Sequence, residues 1–228
     1  MKKKILIYGA GAIGRGYVPW VYEPDHFEYY FVDSNEKLVS ELNAKGRFTS
    51  YRTRGNEYEP REVMVSGAFV IGDEAAAVSK ADVVVTAVGP RNILSLQRAL
   101  TGTTIPILCF ENDPGSATLL KALTGNPNVY FGVPDVITSN TAPRELLAKD
   151  ALAIVTEDGQ CFVDDGAKAL GGNCKYISTK ELSEQWLAKL YIHNTPHCIT
   201  AYLGARLGCT YIHESMQAAG VQKIVRGA

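Results

Sequence analysis

The feature that most constrains the fold is a glycine motif, Gly9-x-Gly11-x-x-Gly14, which directly follows a short apolar run over residues 5–8. The pattern turns helical after the motif, and Asp33 follows about twenty residues later, at the end of a second apolar run. A strand, a glycine turn, a helix and a distal carboxylate come in the order that a βαβ dinucleotide-binding unit requires. We therefore predict a Rossmann-type domain at the start of the chain.

Each position of the motif has a physical reason. Gly9 permits a tight turn off the strand, and Gly11 lets a pyrophosphate approach the backbone because it has no Cβ. Gly14 allows the helix to pack close to the sheet. The phosphates would bind the free N–H groups at the N-terminus of the helix, where Ala12 and Ile13 stand.

The carboxylate at Asp33 indicates which dinucleotide is bound. It can accept hydrogen bonds from the adenosine ribose hydroxyls, and its charge would repel a 2′-phosphate, so NAD is favoured over NADP as the cofactor. The alternative is a glycine-rich turn with a purely structural role in an α/β protein that binds something else.

Composition excludes several function classes. The chain of 228 residues has 46% apolar and 21% charged residues and a net charge of −1, which gives no electrostatic case for nucleic acid or an acidic membrane surface. No apolar run approaches the roughly 18 residues that a membrane helix needs. The 5 cysteines are scattered without a Cys-x-x-Cys pair, which favours reduced thiols in a cytoplasmic protein. A small molecule is the expected partner, and the oligomeric state stays open.

Alternating strand and helix patterns with short connections predict a doubly wound, mainly parallel sheet. Two β-hairpins are predicted as insertions. One covers residues 47–65 around Arg54-Gly55-Asn56, and the other covers residues 151–163 around Glu157-Asp158-Gly159.

The chain changes character near residue 179, where apolar residues begin to recur at helical spacing. We assign residues 1–178 to the dinucleotide-binding domain and residues 179–228 to the beginning of a helical substrate domain. The last residues, up to Ala228, still have the composition of the inside of an element. The second domain is therefore expected to be incomplete, although a naturally short form would look the same.

Polar residues follow three of the predicted buried strands, where a doubly wound sheet binds its ligands. They are the run Thr86–Asn92, which includes Val88 and Gly89, then the group Glu111-Asn112-Asp113, and then Asp135. Asp135 is more often a turn residue than a catalyst in such a position.

A fourth polar group, Lys189, Asn194 and His197, opens the helical region. Oxidising an alcohol with a nicotinamide requires a base for the hydroxyl proton, and a partly buried lysine suits that role because desolvation lowers its pKa. Asn112 and Asn194 can stabilise the developing negative charge on oxygen, and His197 can bind a neighbouring hydroxyl.

The residues of this group also have non-catalytic interpretations. On spacing alone, Lys189 is more often a solvated residue, and Pro196 would kink the helix and blur its faces. His193 and His197 stand four residues apart, but no third ligand is evident, so no metal is predicted.

Four stretches of this chain resemble the polyol-specific long-chain dehydrogenase family, also called the mannitol dehydrogenase family. They are the run Gly9-Ala-Gly-Ala-Ile-Gly-Arg-Gly16, the run Thr86-Ala-Val-Gly-Pro90, the pair Glu111-Asn112, and the signature Lys189-x-x-x-x-Asn194-x-x-His197. The glycine motif is most similar to the mannitol-1-phosphate 5-dehydrogenase branch. The resemblance runs from the first strand to the last residue.

The resemblance implies an NAD-dependent oxidoreductase in which Lys189 is the general acid/base, the asparagines polarise the reacting oxygen and His197 contacts the substrate. The implied reaction interconverts mannitol 1-phosphate and fructose 6-phosphate. The free mannitol/fructose pair, a ketouronate, and a sensor domain that binds NAD without turnover are the alternatives. The family usually has Arg after the aspartate matching Asp135 and a small residue at Pro196, so Val136 and Pro196 depart from its pattern.

Overall fold

The computed structural model of the chain describes residues 1–55 and 57–227. Asn56, predicted at the first hairpin turn, and Ala228, the end of the last predicted element, lie outside the described residues, as does the side chain of His213. The chain divides into two compact units, Met1–Thr179 and Lys180–Ala228, each of which is described by itself.

Within the described residues, eleven strands form one sheet in the order β11-β10-β7-β6-β5-β1-β2-β4-β3-β9-β8. Their bounds are β1 Lys3–Tyr8, β2 Phe27–Asp33, β3 Arg47–Arg54, β4 Glu57–Val70, β5 Val83–Thr86, β6 Ile107–Cys109, β7 Val129–Pro134, β8 Thr138–Ser139, β9 Ile154–Glu157, β10 Cys161–Asp164 and β11 Lys175–Ile177.

The α-helices are α1 Val18–Val21, α2 Glu36–Lys45, α3 Ala75–Val78, α4 Gln97–Leu100, α5 Gly115–Thr124, α6 Arg144–Leu147, α7 Thr179–Ala188, α8 Thr195–Arg206, α9 Ile212–Ser215 and α10 Ala219–Gly227. Tighter 3₁₀ segments cover Pro90–Leu96 and Asp165–Leu170, and wider π-helical turns cover Ala12–Tyr17 and Lys189–Asn194.

The centre of the sheet has the strand order typical of dinucleotide-binding domains. Strands β4, β2, β1, β5, β6 and β7 lie side by side and are parallel, with the last residues of β4 taking the third-strand position. Tyr8 at the end of β1 pairs with Val32 on one side and Thr86 on the other, so the strand order reverses at β1. The prediction of a Rossmann-type, mainly parallel sheet is confirmed.

The first predicted hairpin forms, but its second strand is longer than predicted. β3 and β4 are antiparallel from Arg47 opposite Met64 to Arg54 opposite Glu57. β4 then continues beyond Val65 and pairs in parallel with β2, ending with Val70 opposite Asp33. One strand therefore serves both the hairpin and the central sheet.

The second predicted hairpin is wrong. Both strands form, but β9 is hydrogen-bonded to β3 and β8, whereas β10 is hydrogen-bonded to β7 and β11. A short turn at residues 157–159 is compatible with a hairpin, but the chain crosses from one edge of the sheet to the other instead. Alternating patterns identify a strand without identifying its partner.

Two apolar clusters cover the two faces of the central sheet. Ile5 and Ile7 belong to one cluster, and Leu6 and Tyr8 belong to the other, because side chains alternate along a strand. All four are buried, which explains why β1 is a continuous apolar run in the sequence.

The described part of the second unit, residues 180–227, is mainly helical. α7 runs into the π turn Lys189–Asn194, which continues directly into α8, and α9 and α10 follow. Over residues 1–55 and 57–227, no helix has the length and apolar character to cross a membrane.

Candidate dinucleotide and catalytic site

The turn after β1 has the geometry that its glycines predict. Gly9 has φ +92°, and a Cβ there would lie 2.3 Å from the backbone oxygen of Ala87 in the loop after β5. A Cβ at Gly14 would lie 1.9 Å from the carbonyl oxygen of Gly9. A side chain at either position would therefore force the turn, the helix or the neighbouring loop to move.

The N–H at the start of the first helical turn bonds an oxygen from a distant part of the chain. Ala12 donates its N–H to Oδ1 of Asn140 at 2.9 Å. This N–H points where a helix N-terminus binds anions. Asn140 follows the short strand β8 and was not predicted as a site residue, because no local pattern marks it.

Asp33 ends β2 beside the glycine turn. One carboxylate oxygen accepts the N–H of Ala10 at 2.8 Å, and the other accepts the N–H of Asn35 at 2.9 Å. The carboxylate is therefore oriented by the backbone, and each oxygen keeps acceptor capacity for a ligand hydroxyl.

Arg15 lies buried beneath the glycine turn. Its Nε donates to the carbonyl of Ala10 and its Nη1 donates to the carbonyl of Leu152, both at 2.6 Å. Burial lowers the pKa of Arg15, and the carboxylates of Asp33, Asp150 and Glu41 oppose this. The guanidinium thus ties the turn to the segment before β9, a role that the sequence did not indicate.

A cavity of about 380 Å³ opens at the carboxyl ends of β1, β2, β4 and β5. It brings together four of the predicted cofactor residues, Gly9, Gly11, Asp33 and Val88, and its other lining residues are Tyr8, Val32, Ser34, Ile71, Ala87, Asn92 and Ser95. Its position between the ends of parallel strands is where an open α/β sheet binds nucleotides.

The loop after β5 is held by a buried carboxylate from the end of the next strand. Glu111 accepts the N–H of Val88 at 3.0 Å and the N–H of Gly89 at 2.7 Å. Burial raises the pKa of the Glu111 carboxyl, and the two backbone N–H groups oppose this. Glu111 belongs to the predicted polar group Glu111-Asn112-Asp113, but the sequence did not indicate a role for it.

The remaining predicted residues of this unit also lie at strand ends. Thr86 is buried at the end of β5, Ile13 is half-buried in the π turn, and Asn112 is exposed just after β6. Asp135 is half-buried after β7 and donates its N–H to the carbonyl of Gln160 at 2.8 Å. Because β5, β6 and β7 are parallel neighbours, Thr86, Asn112 and Asp135 lie at the same edge of the sheet.

In the second unit, a π turn begins at Lys189 and ends at Asn194. A π turn closes between residues i and i+5, whereas an α turn closes between i and i+4. Lys189 and Asn194 are therefore stacked one turn apart, closer in angle than the roughly 140° expected for a straight α-helix at ~100° per residue. His197 follows three residues further on in α8, and all three residues are half-buried.

Pro196 explains where this turn widens. It has no N–H for the α-helical hydrogen bond, and it stands in the first turn of α8. Just before the proline, Thr195 donates both its N–H and its hydroxyl, the latter at 2.9 Å, to the carbonyl of Leu190, five residues earlier, which is the π-helical spacing. The predicted disturbance at Pro196 is thus a change of helix type just before the proline.

Comparison with solved structures agrees with the topology. The chain superimposes on 2-dehydropantoate 2-reductase from Geobacter metallireducens with a TM-score of 0.61 at 15% identity, covering 98% of this chain and 72% of that one. It superimposes on D-mandelate dehydrogenase in complex with NADH with a TM-score of 0.57 at 15% identity, covering 96% and 74%. The fold is that of the Rossmann-type dehydrogenases.

Sequence comparison narrows the class. A family model described as the mannitol dehydrogenase Rossmann domain matches residues 3–106. Curated mannitol-1-phosphate 5-dehydrogenases from Oceanobacillus iheyensis and Brevibacillus brevis are 26% and 29% identical, over 99% and 97% of this chain and 65% and 63% of theirs. Through these matches the chain is similar to the mannitol dehydrogenase family, and it spans less than two thirds of the length of these two relatives.

Proposed function

We propose that this protein is an NAD-dependent polyol dehydrogenase that interconverts mannitol 1-phosphate and fructose 6-phosphate. The observation that carries the proposal is the π turn that stacks Lys189 and Asn194 within the family's lysine–asparagine–histidine signature. The proposal is supported by the strand-end cavity at Gly9 and Asp33, and by relatives that are named mannitol-1-phosphate 5-dehydrogenase.

The residues of the first unit fit a nicotinamide dinucleotide. A Cβ at Gly11 would crowd Oδ1 of Asn140 at 3.3 Å, so glycine keeps the backbone open at this point of the turn. Ala12 supplies an N–H for a phosphate oxygen, and Asp33 supplies acceptors for the adenosine ribose. Bound NAD would accept a hydride from the alcohol carbon.

The chain's own residues would manage the proton and the charge on oxygen. Lys189 would take the hydroxyl proton during oxidation and return it during reduction. Asn194 and Asn112 would donate hydrogen bonds to the reacting oxygen without placing a charge there in the ground state. His197 and Asp135 would bind hydroxyl groups along the polyol.

The deciding experiment measures NADH formation from mannitol 1-phosphate by the protein expressed from its complete reading frame. Lys189→Ala should lower kcat by about 10²–10⁴-fold while the Kd for NADH changes little, since the lost group acts on the substrate proton. Lys180→Ala, a lysine at the start of α7, is the matched control and should retain full turnover. Turnover that survives Lys189→Ala would overturn the assigned mechanism.

The choice of cofactor is tested separately by binding. The wild type should bind NADH more tightly than NADPH, because the Asp33 carboxylate repels a 2′-phosphate. Asp33→Asn should narrow that difference about tenfold, since it removes the charge and keeps the shape. An unchanged ratio would mean that the ribose is held elsewhere.

The same assays address the alternatives. Turnover of free mannitol or of a ketouronate in preference to mannitol 1-phosphate would reassign the substrate within the family. Binding of NADH without turnover of any polyol would favour a sensor domain and would reject the proposal.

A further inference from the structure

Glu111 is a buried carboxylate at the end of β6 that the proposed reaction does not use. Its side chain is only 3% exposed, and each carboxylate oxygen accepts one N–H from the loop after β5. The two N–H groups belong to consecutive residues, Val88 and Gly89. The carboxylate therefore fixes both the position and the tilt of that piece of backbone.

The loop is fixed from its other side by ordinary contacts. Ala87 donates its N–H to the carbonyl of Tyr8 at 2.8 Å, and Nδ2 of Asn92 donates to the carbonyl of Val88 at 2.7 Å. With Glu111, these bonds hold the loop between β1, the following helix and the end of β6. Glu111 is the charged member of this set, and it reaches the loop from the end of β6.

Burying a carboxylate is costly, and other groups can satisfy two backbone N–H groups more cheaply. An amide, a hydroxyl or a bound water would do so without bringing a charge into the interior. Burial raises the pKa of Glu111, which is the signature of that cost. A costly buried charge at the ligand-binding edge of a sheet indicates a functional requirement.

The topology identifies which part of the site the loop serves. A Rossmann sheet consists of two mononucleotide-binding halves, and here β1, β2 and β4 form the adenosine half. Val88 also lines the strand-end cavity beside Asp33, so the loop borders the adenosine half as well. The loop follows β5, however, and Glu111 follows β6, so both ends of this contact belong to the strands of the other half. That half holds the nicotinamide end of the dinucleotide.

We propose that Glu111 is a positioning residue for the nicotinamide end of the cofactor, acting through the backbone of Val88 and Gly89. The proposal rests on the proposed function. Glu111 is not a catalytic residue, because both of its oxygens face backbone N–H groups in the interior.

The test compares two ligands on one variant. NADH carries the nicotinamide, whereas ADP carries only the adenosine and the phosphates. Glu111→Gln removes the charge and leaves one N–H facing an amide NH₂ group. It should weaken NADH binding about tenfold, measured by calorimetry, and should weaken ADP binding by a smaller factor, about threefold at most, because Val88 also lines the cavity beside Asp33.

Glu74→Gln is the matched control. Glu74 is also buried, at 2% exposed, but it accepts hydrogen bonds from Tyr8 and Gly72 in the adenosine half. Any loss of affinity in this variant should be the same for NADH and ADP. Thermal unfolding of both variants separates local repositioning from loss of the fold.

The outcomes are distinct. NADH affinity that is unchanged in Glu111→Gln, or that falls by the same factor as ADP affinity, overturns the inference. If the wild type binds NADH but turns over no polyol, the proposed function is rejected. The comparison of NADH and ADP affinities would still test the role of Glu111 in that case. A wild type that binds no NADH overturns both.

Discussion

The two π turns of this protein have the same length and the same distance to a proline, yet they are used differently. Ala12–Tyr17 is followed by Pro19, and Lys189–Asn194 is followed by Pro196, at the second position in both cases. The last four residues of the first turn are buried, whereas the second turn contains no buried residue.

The first turn therefore contributes to the packed core, whereas the second turn holds side chains at the surface of the second unit. In the first turn, the widened helix places Gly14 against the strand and Arg15 under the glycine turn, so its residues hold the nucleotide-binding fold together. In the second turn, the widened helix aligns Lys189 and Asn194 and contributes little burial. We therefore expect substitutions in the first turn to act on stability and those in the second to act on turnover.

The largest effect is expected at the third position of the first turn. Gly14→Ala would place a Cβ 1.9 Å from a backbone oxygen and should cost about 3 kcal/mol or more of unfolding free energy. Gly16→Ala is the control, because its Cβ would meet Ile154 at 3.6 Å, an ordinary contact. Urea denaturation measures both, and equal stabilities would mean that the close approach is not needed.

Substitutions at the fourth position of each π turn should also differ in their effect on stability. Arg15→Met leaves the carbonyls of Ala10 and Leu152 without their donor and should cost about 2 kcal/mol of unfolding free energy. Ile192 has the same position in the second turn and is 76% exposed, so Ile192→Ala should change stability by less than about 0.5 kcal/mol. A larger cost at Ile192 than at Arg15 would reverse the comparison.

Replacing Pro196, which follows the second π turn, with a residue that has a backbone N–H should lower the rate of catalysis. Pro196→Ala permits regular α-helical bonding and would rotate Lys189 away from Asn194, so kcat should fall about tenfold. The Kd for NADH should stay within about twofold, because the cofactor residues lie in the first unit. Steady-state kinetics with calorimetry would check this, and an unchanged kcat would show that the alignment is dispensable.

The smallest effect is expected at high pH. Burial raises the pKa of Tyr17 above its usual range, so this phenol stabilises the fold below the unfolded pKa of about 10. That stability is lost as the pH rises further, by up to about 1.4 kcal/mol per pH unit. Tyr17→Phe should reduce the alkaline slope of the unfolding free energy, measured by urea denaturation at several pH values, and an unchanged slope would mean that this phenol does not contribute.

The parts of the fold that the sequence predicts are those with a local physical cause. The glycine motif can be recognised because two of its requirements are local: Gly9 has a positive φ, and Gly14 packs against the backbone of Gly9 five residues earlier. Buried parallel strands such as β1 and β5 can be predicted from the sequence because both of their faces are apolar. Pro196 marks a helix disturbance because it lacks an N–H, although it does not tell which kind of turn results.

The parts that could not be predicted depend on distant pairs. The crossing of the chain between β9 and β10 leaves no mark on the alternating pattern of either strand. Hydrogen bonds join Arg15 to Leu152, Ala12 to Asn140, and Val88 to Glu111. The spacing of these residues in the sequence does not indicate any of these contacts. Predicting such pairs requires the sheet order first.

The Asn140 side chain has a consequence for how any measured affinity should be interpreted. Since the chain itself satisfies the Ala12 N–H with an amide oxygen, an entering phosphate exchanges one acceptor for another. The measured dissociation constant for a nucleotide would then reflect a difference between two hydrogen bonds of the Ala12 N–H: the one to the charged phosphate and the one to the neutral Asn140 side chain. Loosening the segment that carries Asn140 would tighten nucleotide binding without any new contact to the nucleotide.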